Sequence, residues 1–333
     1  MIVSYLYTFV RNIIGFLLFI CLIYLFIHDP SKIDIALPDS IKNQMTIFLS
    51  ILLESFPFIL IGVCFSALIQ IFIPEKVIQR IFHKRGLFML LPAALLGLVF
   101  PICECAIIPV IRRFIQKGMP PYIGVTILTA VPIINPIVFF STYYAFQGQR
   151  EIVYLRMGLA FFISIVLGIL MLICFRRYNP IRNRREVVVQ GEEKIEDYPN
   201  KGKQFLYHAI DEFFETSKYV IIGSLCVVIF QSFVKRDWLL SLSHHDHASP
   251  IIMMGMAYLL SICSESDAFV AKTFVNTFSY SSILAFLVFG PMLDLKNTLM
   301  LFSYFKTPFV LTLILFMIAV VYLSVLYLQT AHL

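Results

Sequence analysis

Apolar residues occur along this chain in long runs that are nearly free of charge, and short polar or basic segments separate the runs. A helix needs about 20 apolar residues to cross the hydrocarbon core of a bilayer. Several runs reach that length, so the pattern predicts an all-α polytopic membrane protein. The predicted membrane segments are residues 11–27, 45–73, 86–117, 120–146, 152–175, 208–234, 249–271, 280–305 and 307–328.

Basic residues lie at the ends of these runs and indicate which ends face the cytoplasm. The linker at residues 176–204 has more basic residues than any other loop and is predicted to be cytoplasmic. Counting back through two spans places residues 112–117 inside, and the basic residues 75–85 should lie there too. Both ends of residues 86–117 then share one side of the membrane. A re-entrant hairpin that turns near residues 101–105 satisfies this, because protein can surround its non-helical backbone. A plain crossing is the alternative.

The second half of the chain repeats features of the first in the same order. Glu54 precedes Cys103 by nearly the same distance as Glu215 precedes Cys263, and the break at Asn135-Pro136 has a counterpart near a later proline. Each copy would hold three spans and one hairpin, and an odd number of spans inverts the second copy. Inverted repeats of this kind occur in many secondary transporters. Nine plain spans with a parallel duplication are the alternative.

This interpretation divides the chain into four parts. No small-residue cleavage site follows the first span, so it is predicted to be a retained anchor. The parts are an N-terminal transmembrane anchor with an outer loop (residues 1–44), a first membrane repeat (45–175), a basic cytoplasmic linker (176–205) and a second membrane repeat (206–333).

Composition excludes several functional classes. Of the 333 residues, 59% are hydrophobic, whereas about half are apolar in a soluble domain. The net charge of +6 is a topology signal, because the basic residues flank apolar runs, and it does not predict a nucleic-acid partner. Seven cysteines, mostly within apolar runs, argue against a disulfide framework. No phosphate-binding glycine loop and no serine-histidine-acid set are identifiable, so we predict neither an enzyme nor a cofactor.

The chain is organised around residues 101–109, which read Pro-Ile-Cys-Glu-Cys-Ala-Ile-Ile-Pro. Cys103 and Cys105 would point to different faces of a regular helix but can converge on one ligand in a turn. Cys263, from the later copy, is the third candidate. Thiolates prefer soft or borderline partners such as zinc, copper(I) or trivalent arsenic, so these three cysteines are predicted metal or solute ligands. Close packing in tight turns is the alternative role.

Carboxylates accompany the cysteines. Glu104, Glu265 and Asp267 lie within the two cysteine motifs. Burial favours the neutral form of a carboxylate, which suits a proton carrier, so we predict that these acids couple proton movement to transport or complete a cation site. Glu54 and Asp294 are assigned to the same group, with an interfacial position as the alternative for Glu54. Asn135, at a predicted helix break, is a candidate solute-contacting amide.

These motifs resemble a known family. Residues 101–109, the later Val-Pro-Ile-Ile-Asn-Pro at 131–136, Cys-Ser-Glu-Ser-Asp-Ala at 263–268 and the run at 284–297 are similar to the predicted-permease family that includes bacterial methylarsenite efflux permeases. The resemblance covers roughly residues 45–328 and is closest to the Gram-positive branch.

The resemblance implies a multi-pass permease of the bacterial cytoplasmic membrane. In some members it implies export of trivalent organoarsenicals through cysteine thiols, and often pairing with a second small membrane protein. The acids at 104, 265 and 267 make this chain more ionic than the exporters' pattern, which favours a cation or a proton-coupled substrate.

Two hypotheses follow. The first is a secondary-type permease, acting in efflux, for a soft thiophilic solute such as a trivalent arsenical or a transition-metal ion. The second is a membrane subunit of a two-protein complex in envelope or metal homeostasis, which docks its partner through the basic linker and does not transport by itself.

Overall fold

A computed structural model describes residues 39–72, 74–83, 86–99, 102–147, 149–175, 178–182, 201–233 and 248–330. The predicted N-terminal span at residues 11–27 and most of the predicted linker, residues 183–200, lie outside the described residues.

The first half of the described chain begins with one long helix and ends with another. Its helices are α1 (Asp39–Phe72), α2 (Glu75–His83), α3 (Leu90–Leu95, between 3-10 turns Gly86–Met89 and Leu96–Leu98), α4 (Glu104–Gln116), α5 (Pro121–Ala130), α6 (Pro136–Ala145) and α7 (Arg150–Phe175).

The second half has a similar order of long and short helices. They are α8 (Lys201–Phe233), α9 (Ser249–Leu260), α10 (Asp267–Lys272), α11 (Tyr280–Met292), α12 (Leu295–Tyr304) and α13 (Thr307–Thr330). No strand forms within the described residues, where the extended pairing is one isolated bridge between Ile181 and Phe305.

Five helical segments among the described residues are long and apolar enough to cross a membrane. They are Lys42–Phe72, Arg150–Phe175, Gln204–Gln231, Tyr280–Tyr304 and Thr307–Thr330. Shorter apolar helices occupy Leu87–Leu98, Pro121–Ala130 and Ser249–Leu260. The prediction of an all-α polytopic membrane protein is confirmed. The inverted duplication and the re-entrant hairpin stay predictions.

Several predicted segments are broken at mid-length. Residues 131–135 separate α5 from α6, and Asn135 caps α6 by accepting a hydrogen bond from the Val138 amide at 2.9 Å. Asp294 caps α12 in the same way, accepting from the Asn297 amide at 2.6 Å. The first amides of a helix have no partner within it, so a polar side chain is needed where a helix begins inside the membrane.

Two glycines allow the long helices to approach the broken ones. A Cβ on Gly62 of α1 would lie 2.6 Å from the Cβ of Ala106 on α4. A Cβ on Gly223 of α8 would lie 3.0 Å from the Cα of Lys296 on α12. Helices α1 and α8 also pack against each other, and α4 packs against α12, so these four helices join the two halves of the chain.

Candidate functional site

The three predicted ligand cysteines are all buried, and we refer to them together as the thiol cluster. Cys103 is the cap residue of α4, Cys105 lies in its first turn, and Cys263 follows α9. Their exposed fractions are 2%, 1% and 2%, and their thiols lie within electrostatic range of one another. The thiol cluster therefore draws its sulfur atoms from both halves of the chain, and its role as a ligand set stays a prediction.

The backbone around Cys263 is tightly folded. Helix α9 ends at Leu260, and its C-cap residue Ser261, with a φ of 52°, turns the chain through the left-handed region. The carbonyl of Cys263 then accepts hydrogen bonds from the amides of Ser266 and Asp267, each at 3.0 Å. This turn, residues 263–267, directs Cys263 inward and starts α10.

Glu104 lies between the two cysteines of α4. Its side chain is 2% exposed, and neither carboxylate oxygen has a hydrogen-bond partner among the described residues. Cys105 and Lys296 are its main electrostatic neighbours, followed by Asp294 and Glu265. A buried carboxylate without a partner is costly, so this group is suited to accept a proton or face a bound cation.

Lys296 is a member of the site that the sequence prediction did not include. Its Nζ lies 3.6 Å from Oδ2 of Asp294, and each side chain is 1% exposed. Ser261 Oγ also donates to Asp294 Oδ2 at 2.7 Å. Asp294 therefore caps a helix and has its charge offset within the protein. The signal for Lys296 was a single lysine, two residues after Asp294, within a predicted membrane segment.

Asp267 also has an internal cation, and that cation was missed. Nη2 of Arg156 lies 2.6 Å from Oδ2 of Asp267, and Arg156 is completely buried. An arginine in a membrane span is costly to insert, by about 2.5–3.5 kcal/mol on insertion scales. Its position near the start of an apolar span was the available signal, although the sequence does not name its partner.

The matching glutamates of the two halves each contact the opposite half. Glu54 on α1 is exposed, and its Oε1 accepts a hydrogen bond from Ser266 Oγ at 3.4 Å. Glu215 on α8 forms a 3.4 Å ion pair with Arg112, which lies on α4. Glu54 also lies within electrostatic range of Glu265, which is half-buried. Glu54 is therefore close to the thiol cluster, whereas Glu215 serves the other end of α4.

A second ion pair, a hydrogen bond and a cation–ring contact also hold that end of α4. Arg113 Nε lies 3.5 Å from Glu212 on α8, and Ser66 Oγ donates to Glu212 at 2.7 Å. The guanidinium of Arg112 lies 4.6 Å from the centroid of the Tyr304 ring. These contacts join α1, α4, α8 and α12 about two to three helical turns from the cysteines.

The side-chain amide of Asn135 is hydrogen-bonded to neighbouring backbone groups. Its Oδ1 caps α6, and its Nδ2 donates to the carbonyls of Val131 at 3.5 Å and Pro132 at 3.4 Å. Its role as a solute-contacting amide stays a prediction.

An apolar groove of about 470 Å³ adjoins the motif between α1, α4 and α5. Ile102 and Ile107 line it, but none of the three cysteines does, so the groove is distinct from the thiol cluster.

Internal cations offset the charge of the buried acids in all but one case among the described residues. Asp267 has Arg156, Asp294 has Lys296 and Glu212 has Arg113, whereas Glu104 has neither an ion pair nor a hydrogen bond. Within the same residues, no group of three or more histidine, cysteine, aspartate or glutamate side chains has a geometry that could hold a metal ion. The metal-ligand assignment of the cysteines stays a prediction.

Comparison with known proteins identifies the family. The ArsP_1 model, described as a predicted permease, matches residues 40–330. The UPF0718 protein YcgR of Bacillus subtilis is 43% identical over 282 residues, which are 83% of this chain and 93% of that protein. A Streptococcus mutans protein named as a putative two-component membrane permease complex subunit is 37% identical over 283 residues, 83% of this chain and 91% of that protein. No solved structure matches the chain.

The family match covers both cysteine motifs and every described span. The alignments with the two relatives extend over nearly the full length of each relative. The resemblance noted in the sequence is confirmed. This chain belongs to the ArsP_1 predicted permease family and is a multi-pass permease of the cell membrane.

Proposed function

We propose that this permease moves a soft thiophilic solute, a trivalent arsenical or a transition-metal ion such as zinc, out of the cell by secondary-type transport. The observation that carries the proposal is that Cys103, Cys105 and Cys263, from two broken segments in opposite halves, are all buried and lie within electrostatic range of one another. Secondary transporters place their solute sites where such broken segments meet.

The thiols suit either solute by different chemistry. A trivalent arsenical exchanges two hydroxyl groups for two thiols, forming two As–S bonds and releasing two water molecules, so the charge of the site does not change. A metal ion requires thiolates, so binding releases protons. The three cysteines Cys103, Cys105 and Cys263 are the proposed ligands in both cases.

Glu104 is the proposed proton or cation carrier. Asp267 and Asp294 have cations of their own, so a change in their charge would break an existing ion pair. Glu104 has no such pair among the described residues and adjoins Cys105. Glu265 and Glu54 lie near this cluster and are proposed to assist it, because both contribute to the electrostatic environment of the cysteines or of Glu104.

The proposed architecture remains an inverted pair of repeats with re-entrant hairpins. Three features support it. Each half begins and ends with a long helix, each contains a broken segment that carries the cysteine motif, and each contains a later break capped by a side chain, Asn135 or Asp294.

The proposal is tested by measuring intracellular arsenic and zinc in cells that express wild-type protein, Cys103→Ser or Glu104→Gln, challenged separately with methylarsenite and with zinc. Cys174→Ser is the matched control, because Cys174 is exposed on α7. An arsenic decrease that Cys103→Ser abolishes indicates an arsenical permease. A zinc change that both variants abolish indicates a metal permease. Equal contents in all strains, with expression confirmed, reject the soft-solute proposal.

A second candidate function is that of a subunit in a two-protein permease complex, which the name of the Streptococcus relative favours. The basic linker is the proposed docking segment. Residues 181–182 are anchored to the protein by the Ile181–Phe305 bridge and by a hydrogen bond from the Arg182 amide to the Tyr304 carbonyl at 3.0 Å. A glycine-serine replacement of residues 183–200 therefore removes most of the linker sequence and retains the anchor. Loss of function in that variant, with the cysteine variants active, supports the subunit role.

A further inference from the structure

Arg156 contacts three parts of the protein from within α7. Nη2 lies 2.6 Å from Asp267 Oδ2 and donates to the carbonyl of Ser264 at 3.4 Å, and Nη1 donates to Thr142 Oγ1 at 2.7 Å. Thr142 lies on α6 and uses its own hydroxyl hydrogen in a 2.7 Å bond to the Val138 carbonyl. One completely buried side chain thus joins α6 and α7 of the first half to residues 263–267 of the second.

The contacts of Arg156 fall on both ends of the turn that follows Cys263. Ser264 is the next residue after Cys263, and the Asp267 amide is hydrogen-bonded to the Cys263 carbonyl at 3.0 Å. Ser141 Oγ on α6 also bonds to the Glu265 carbonyl. A guanidinium donates from a rigid planar fork, so a fixed Arg156 fixes the turn and with it the direction of Cys263.

We propose that Arg156 is a positioning residue for Cys263, holding the second-half thiol against Cys103 and Cys105 across the boundary between the halves. This inference rests on the proposed function for its consequence in transport, since it states how the third thiol is kept at the solute site. The inference concerns the position of the Cys263 thiol, and the reactivity of that thiol can be measured without any solute.

The test is the alkylation rate of Cys263 by N-ethylmaleimide in membranes, in a protein whose other cysteines are all serine. In Arg156→Gln, which removes the charge and the fork, we expect alkylation to accelerate by about tenfold or more, since breaking a buried ion pair costs several times the free energy of one tenfold change. Arg156→Lys retains the charge and should accelerate it less. Arg150→Gln, an exposed arginine on the same helix, is the matched control and should match wild type.

The same assay on a protein with Cys103 as its one cysteine distinguishes a local effect on the position of Cys263 from a general loss of stability. Positioning predicts that Arg156→Gln exposes Cys263 and leaves the Cys103 rate within about twofold of wild type, because opening is local. Equal acceleration at both cysteines, or at neither, overturns the inference. If Arg156→Gln does not insert, Thr142→Val removes one of the three contacts and should produce a smaller acceleration at Cys263 alone.

The two proposals fail separately. Selective exposure of Cys263 together with unchanged arsenic and zinc contents in Cys263→Ser cells rejects the solute proposal and retains the positioning role. Unchanged Cys263 labelling in Arg156→Gln, together with a transport defect in Cys263→Ser, rejects the positioning role and retains the solute proposal.

Discussion

The Nζ atom of Lys296 lies 3.6 Å from Oδ2 of Asp294, with both side chains buried beside the thiol cluster. This pair offsets a carboxylate that the sequence had assigned to solute or proton binding. Together with Arg156 and Asp267, it leaves Glu104 as the buried acid of the described site without an ion pair or a hydrogen bond of its own.

Removal of Lys296 should destabilise the protein and reveal the coupling between these two residues. Lys296→Met leaves the buried Asp294 carboxylate without its cation, and loss of one partner of a buried pair costs about 3–5 kcal/mol. Asp294→Asn in the same chain retains a capping acceptor and removes the charge. Thermal unfolding of purified protein should therefore show the double variant to be more stable than the sum of the single effects predicts, and simple additivity would contradict the pairing.

Gly62 should not tolerate a side chain. In Gly62→Ala the new Cβ would lie 2.6 Å from Ala106 Cβ and 2.8 Å from its backbone, so α1 and α4 must separate. Overpacking of this kind costs about 1–3 kcal/mol, and it would move the helix that carries Cys103 and Cys105.

Gly158→Ala is the control, because a Cβ on Gly158 of α7 meets nothing within 4 Å. Unfolding temperature and Cys103 alkylation should change in Gly62→Ala and not in Gly158→Ala. Equal tolerance of both substitutions would show that the α1–α4 contact is looser than described.

The cap at Asn135 should be replaceable by another capping side chain. Asn135→Ala removes the acceptor for the Val138 amide, and loss of a cap costs about 1 kcal/mol. Asn135→Ser retains an acceptor oxygen at this position and should recover most of that stability. If Asn135→Ser transports as wild type while Asn135→Ala is only destabilised, the residue acts as a cap. A transport defect in Asn135→Ser at full stability would instead support the predicted contact with solute.

The hairpin prediction can be examined by cysteine accessibility at positions that the structure exposes. Leu87 and Gln116 lie near the two ends of residues 86–117, and both side chains are exposed. A cysteine at either position, in a chain without other cysteines, should react with an impermeant maleimide from the cytoplasmic face alone. Reaction from opposite faces would establish a plain crossing and would remove the inverted arrangement of the halves.

Much of this fold could be predicted from the sequence because membrane helices have a strong local signal. Charge-free length identified the spans, and Asn135-Pro136 marked a break, since an amide followed by proline suits the start of a helix. Cys103, Cys105 and Cys263 were grouped from the partial match between the two cysteine motifs, and their role as a ligand set stays a prediction.

The ion pairs could not be predicted in the same way. Asp267 and Arg156 are 111 residues apart, and neither periodicity nor spacing indicates which distant charges will meet. Asp294 and Asp267 were therefore predicted for proton coupling or a cation site with no partner named, and the structure adds an internal partner for each, Lys296 and Arg156. The sequence signal for such pairs is a single basic residue within an apolar span, as at Arg156 and Lys296, because such a residue is costly in a membrane unless it has a partner.

The most direct test of the central claim is the intracellular arsenic and zinc content of cells expressing Cys263→Ser, compared with wild type and with the exposed-cysteine control Cys174→Ser. If the two halves form one thiol site, Cys263→Ser should abolish the wild-type change in the transported element as fully as Cys103→Ser does, and Cys174→Ser should retain it. Wild-type contents in Cys263→Ser, at equal expression, would contradict a solute site shared between the halves.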